Sequence, residues 1–309
     1  MAKLSIMCPD KITKWAKVIR DTLSKGVDVV IVGDTETTGK SELGDKKNFG
    51  RKDRILEIGF LLYTEDSKGL LTPLLDEEGE HIFFHEYINP FTEDEFILER
   101  YNSIRSIPEE VIVHVHGIDL EFLNGESGMV LKNGGRGDVL LKNPALSFTK
   151  VKPYIELMFD IHNLNTRTSK LKFIAHNALF DVQFMNAEWF KSELLEEKAK
   201  NPCVFEAFIH TVDTLRMAQS LYSRNELSNA ALSKGISSKS GFSLDFLQIF
   251  YGIEIERDMH GALLDSKILA EVYNAIISDS KFQNAPQTVN KKFTGYEREL
   301  KRPPSLPTF

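Results

Sequence analysis

The chain has 309 residues, of which 42% are hydrophobic and 27% charged, and a formal net charge of −7. That balance suits one sizeable soluble domain with appendages better than two independent ones. Two cysteines, Cys8 and Cys203, give neither a disulfide framework nor zinc-ligand spacing, and no apolar run approaches membrane-spanning length or forms a signal-peptide core, so a cytoplasmic protein is expected.

Taken in chain order, Ile12, Trp15, Ile19 and Leu23 recur at helical spacing among Lys and Arg. They predict an amphipathic helix over 10–25 that packs on the domain rather than docking a partner or a membrane surface. Apolar runs predict strands over 28–34, 54–63 and 80–88, and residues 93–115 read as helix and loop around Pro108. A glycine-rich loop over 124–143 precedes a helix near 147–161. A short buried strand follows at 171–175, then a helix over 178–200 with Asn177 as its expected N-cap. Residues 208–213 read as a strand and 214–221 as a helix. The Ser-, Asn- and Lys-rich stretch 224–241 reads as a surface loop. Ser243 is placed to cap a helix through Phe250, and Leu263, Leu264, Ile268, Leu269, Val272 and Ile276 give 262–277 an apolar side. From Asp279 onward Pro286, Pro303, Pro304 and Pro307 among basic residues predict an extended arm.

The chemistry concentrates in a few blocks. Residues 34–39, DTETTG, follow the apolar run 29–32, and side chains two apart on a strand share a face, so Asp34 and Glu36 can share one cation or two. Asp181 lies in HNALFD and His260 in DMHGALLDS, five residues before Asp265. Four carboxylates without a Cys/His cluster favour Mg²⁺ or Mn²⁺ over zinc. Two such cations, about 3.5–4 Å apart, suit phosphodiester hydrolysis, because they stabilise charge on both sides of phosphorus. An imidazole that titrates near neutrality makes His260 the expected general base, on a loop free to move.

In order, DTETTG, VHGID (115–119), HNALFD (176–181) and HGALLDSKILAEVY (260–273) resemble the DEDDh 3′→5′ exonuclease family, with most likeness to the proofreading epsilon subunits of bacterial DNA polymerase III. The resemblance spans residues 27–278. It implies one exonuclease domain there, between a basic amphipathic extension (1–26) and a basic, proline-containing tail (279–309). The implied fold is α/β: a ribonuclease H-like mixed five-stranded sheet, its first three strands antiparallel, flanked by helices. Asp34, Glu36, Asp181 and Asp265 fall on the metal-binding positions and His260 on the catalytic histidine. By the same likeness Asp34 bridges both metals, Asp265 completes the site that activates water, Glu36 also orients that water or the terminal nucleotide, and Asp181 acts through the second metal. Thr35, His116 and Phe180 fall where the terminal nucleotide binds.

The implied activity releases nucleoside 5′-monophosphates from single-stranded or frayed DNA 3′ ends in proofreading. RNA 3′-end trimming, as by ribonuclease T or oligoribonuclease, a free-standing repair or phage-type exonuclease, and a non-catalytic polymerase scaffold remain alternatives. The implied partners are a polymerase catalytic subunit, reached through the tail, and a sliding clamp. Residues 287–293, from Gln287 to an aromatic Phe293, resemble a clamp-binding motif but lack its aliphatic residue. Residues 1–26 and 280–309 each carry a net charge of +4 and the segment between them −15, a distribution suited to gripping a few terminal nucleotides through metals rather than a long duplex.

Overall fold

The structure is a computed structural model that describes residues 3–4, 9–40, 52–100, 102–161, 171–195, 204–236, 241–256 and 259–284. The tail does not begin as an extended arm: Asp279 caps a short helix, Ser280–Gln283, whose Phe282 is buried against the body, and residues 285–309, with 287–293, lie outside the described residues. Six strands form the main sheet: β1 (Val29–Thr37), β2 (Ile55–Glu65), β3 (Leu71–Pro73), β4 (Phe83–Tyr87), β5 (Leu171–Ala175) and β6 (Ile209–Asp213). β2 runs antiparallel to β1, and β3 and β4 lie end to end along the other edge of β2, also antiparallel. On the far side β1 pairs in parallel with β5, and β5 with β6. The six strands therefore occupy five positions in a mixed sheet, with the first strands antiparallel as expected. The extra strand, β3, is three residues long and ends in Pro73, an edge position where a missing amide costs no ladder bond.

Helices cover both faces, which explains why the inner strands read as continuous apolar runs. On one face α1 (Pro9–Ser24), α2 (Phe148–Phe159) and α3 (Leu179–Leu195) close over Ile31, Phe60, Phe84 and Phe173. Ile12, Trp15 and Ile19 of α1 are buried in that core, so the amphipathic helix is part of the packed body. On the other face lie α4 (Thr214–Leu221), α5 (Arg224–Ser233), α6 (Leu244–Tyr251) and α7 (Ala262–Ser278), over Val30, Val32, Leu61, Tyr63 and Ile174. No helix among the described residues is long and apolar enough to cross a membrane.

Two further local expectations are corrected. Residues 224–233 are helical, not loop. Ser223 accepts the Glu226 N–H at 3.3 Å and Glu226 accepts the Ser223 N–H at 2.8 Å, a reciprocal capping box that starts a helix burying only Leu227 and Ala231. Asn177 is not an N-cap in the usual extended conformation: its φ is 61°, and its own amide donates to Asp213. Elsewhere Ser243 does cap α6, accepting the Phe246 N–H.

α7 lies directly on β2. A Cβ at Gly59 would stand 2.3 Å from the Ala262 carbonyl carbon and the Leu263 nitrogen, so only glycine admits the helix start here. The Ser266 hydroxyl sits 2.8 Å from the carbonyls of both Gly59 and Ala262. Gly59→Ala is therefore expected to destabilise the fold by about 1–3 kcal/mol in urea unfolding, through overpacking, and Ser266→Ala by about 1 kcal/mol. A Gly59→Ala protein as stable as wild type would show that α7 does not need this approach.

Candidate active site

The strand that holds DTET continues to Thr37, so Asp34 and Glu36 stand within β1 rather than at its end. Val30 and Val32 of β1 face α4–α7, and period-two alternation sends Asp34 and Glu36 to that same face. Asp34 is paired with Gly59 across the strands, and Glu36 with Glu57.

α7 brings Asp265 in its first turn, 3% exposed, where the helix dipole favours negative charge. His260 precedes it. The histidine is not free: its amide donates to the Val115 carbonyl at 3.0 Å, and its Nδ1 lies 3.0 Å from Asp265 Oδ2. Single ligand atoms of Glu36, His260 and Asp265 fall within 4.8 Å of one another. The fourth acid, Asp181, comes from the first turn of α3 and accepts both the Thr35 amide (3.0 Å) and the Thr35 hydroxyl (2.9 Å).

Burial holds the Asp34 carboxyl well above the usual carboxylate range, and the charges of Asp181, Glu36, Asp265 and Glu57 push it further. The structure thus gathers all four acids that the sequence singles out. Burial pushes Asp181 up to about 7, against the lowering effect of the Thr35 hydrogen bonds, and Asp213 adds to the rise. Crowded carboxyl groups that resist ionisation are what a site for hard cations looks like without its counter-charge. The carboxylate oxygens of Asp34, Glu36, Asp181 and Asp265 fit Mg²⁺ or Mn²⁺.

The three expected nucleotide contacts fare differently. His116 is fully buried; its Nδ1 accepts the Ile118 amide at 2.9 Å, so Nε2 carries the proton and donates to the Thr37 carbonyl at 3.2 Å. Burial lowers its pKa to about 4. Thr35 spends its hydroxyl on Asp181. Phe180 is half-buried, packed against Phe184 with ring centroids 4.8 Å apart. Two acids of this region escaped the sequence reading. Asp213 caps α4 by accepting the Leu215 amide. Glu57 is 2% exposed; a charged residue inside the apolar run of β2 was the signal for it.

A mixed sheet of this order, with acids and a histidine gathered around its first strand, belongs with hydrolases of the 3′→5′ exonuclease class. The chain is 30% identical over 264 residues to DNA polymerase III subunit epsilon of Rickettsia typhi, covering 84% of this chain and 80% of that one. It belongs to the family of DNA polymerase III epsilon subunits. The epsilon subunit of Buchnera aphidicola subsp. Schizaphis graminum is 25% identical over 282 residues, 88% of each chain. Among solved structures, the nuclease domain of 3′hExo, a DEDDh family member bound to rAMP, superposes with a TM-score of 0.39 and 15% identity over 83% of this chain and 94% of that one. No protein-family model matches the chain.

A raised carboxyl binds a proton in the folded state that the unfolded chain, with its ordinary value near 4, has released. Stability without metal is therefore greatest at the acid end of the window and falls as pH rises from about 4 to about 7. Melting temperatures in EDTA are expected to drop by several degrees between about pH 5 and about pH 7.5, and Asp181→Asn to flatten that slope. Mg²⁺ or Mn²⁺ should raise the melting temperature of wild type at the higher pH more than that of the variant. A pH-independent melt in EDTA would contradict the crowding of these carboxyl groups.

Proposed function

We propose that the protein removes nucleoside 5′-monophosphates from single-stranded or frayed DNA 3′ ends, as a proofreading activity in replication. The convergence of Asp34, Glu36 and Asp265 with His260 on the α7 side of β1, with the charge of Asp181 reaching Asp34 from α3, in a chain of this family, carries the reading. Asp34, Glu36, Asp181 and Asp265 would hold two divalent cations, which when bound stabilise charge on the phosphate and ease deprotonation of the attacking water.

The chain's own residues supply orientation and proton transfer. An ionised Asp265 only accepts hydrogen bonds, so His260 Nδ1 carries the proton and Nε2 is left with the lone pair. The His260 side chain is 42% exposed while Asp265 is 4% exposed, so water reaches the base but not the group that orients it. That is the arrangement a general base needs. Thr35 fixes Asp181, and the half-buried ring of Phe180 offers a face to a terminal base. Mismatched ends would be preferred without any base-specific reading, because unpairing them costs less. On this reading the tail from Asp279 tethers the enzyme to a polymerase catalytic subunit or a sliding clamp, and the raised local concentration offsets the weak grip of an acidic body.

The test follows 5′-labelled single-stranded DNA, matched RNA and a mismatched primer-template in Mg²⁺. Wild type should give a ladder shortening from the 3′ end, faster at the mismatch. His260→Ala should lose roughly 10²–10⁴-fold in kcat while keeping Mn²⁺ affinity by calorimetry, and Asp34→Ala should lose both. Equal loss of metal affinity in the two variants would contradict this division of roles, and preference for RNA would move the protein to the trimming enzymes.

A further inference from the structure

Glu57 is a fifth buried carboxylate beside the four acids, and neither the motifs nor the chemistry above uses it. It faces the same side of the sheet as Asp34 and Glu36 and stands directly across from Glu36. Burying a carboxylate costs several kcal/mol unless its lone pairs are occupied by donors. Here they are occupied. Oε2 accepts the Ala262 amide at 3.1 Å and Oε1 lies 2.6 Å from His85 Nε2. His85 and Tyr87 alternate along β4 and share a face with Glu57, and His85 reaches it from the neighbouring strand.

Ala262 is the first residue of α7, and its amide is one of the orphan donors of a helix N-terminus. The residue before it is Gly261, which has no side chain to cap the helix. Glu57 therefore does from β2 what Ser or Asp does locally at other helix starts. Ala262 lies two residues after His260 and three before Asp265. Each of its oxygens already takes a protein partner, Ala262 on one and His85 on the other, and Glu57 does not belong to the group of ligand atoms that Glu36, His260 and Asp265 form among the described residues.

We propose that Glu57 is a positioning residue for the reaction: by capping Ala262 across the sheet it sets where His260 and Asp265 stand over Asp34 and Glu36, while His85 holds its carboxylate in place. The proposal rests on the exonuclease reading above for its effect on rate, but its structural half stands alone.

The test compares Glu57→Ala and Glu57→Gln in the full chain, by single-stranded DNA degradation in Mg²⁺ and by hydrogen exchange at the Ala262 amide. A glutamine oxygen still accepts that amide, and its NH₂ can donate to His85 Nε2 when the imidazole carries its proton on Nδ1. Glu57→Ala should lower kcat about 10–100-fold with KM within about threefold, and speed Ala262 exchange about tenfold or more. Glu57→Gln should stay within about fivefold of wild type in kcat and keep the slow exchange. If Glu57→Ala does not fold, His85→Phe decides, with a kcat several-fold lower and faster Ala262 exchange expected. Unchanged Ala262 exchange in the alanine or phenylalanine variant would overturn the proposal, as would a glutamine variant as damaged as the alanine one. A wild-type protein that degrades no DNA would instead overturn the exonuclease reading, and exchange at Ala262 would still decide the role of Glu57.

Discussion

Like charge held at close quarters and out of water is the constraint to which the rest of the site answers. Asp34 and Asp181 have their carboxyl groups pushed upward chiefly by burial, and neighbouring acids add to the push. A flexible loop would relieve that repulsion by moving apart. The two acids from the sheet sit on its central strand, and the two from helices sit in the first turns of α3 and α7, where the exposed amides of the helix start favour negative charge. Rigid elements on three sides keep the acids together, ready for a counter-charge that the fold itself does not provide.

The same register that builds the core builds the site. Along β1, Ile31 goes to the aromatic layer under α1–α3, while Val30 and Val32 go to the α7 layer, followed on that face by Asp34 and Glu36. Gly33 keeps the opposite face clear, since a Cβ there would lie 2.5 Å from the Phe173 ring and 2.7 Å from that of Phe60. α7 matches this change of character. Ile268, Leu269 and Val272 cover the valines, and Asp265 meets the acids. A one-residue slip of β1 would send both carboxylates into the aromatic layer, so apolar packing fixes the position of the chemistry.

What the sequence makes legible follows from how local each signal is. The five residues of the cluster and the strands around them sit in short blocks whose spacing carries the information. The role of Glu57 depends on the pairing of β1 with β2 and on a helix start 205 positions away, neither of which a local pattern encodes. Helix α5 hid behind a polar composition because it buries one narrow stripe, although Ser223 and Glu226 spell its start. Asn177 has a capping side chain but a left-handed backbone. Thr35 and His116 show a further limit: their positions were legible, but not that their polar atoms would be engaged by Asp181, Thr37 and Ile118.

The glycine-rich stretch before α2, an interruption in the sequence pattern, works in space as a brace. Val130 donates its amide to the Gly117 carbonyl at 2.7 Å, and Arg136 reaches both Asp119 and Glu121. Gly117 has a φ of 74° and would place a Cβ 2.3 Å from the Val130 carbonyl oxygen, so glycine alone fits the junction. The braced turn presents the Val115 carbonyl to the His260 amide. His260 is thus fixed by that turn at its backbone and by Asp265 at its ring, with Glu57 holding the helix start that follows. On the proposed reading of His260 as the base, a side chain held in this way before substrate arrives needs little reorganisation at the moment of proton transfer.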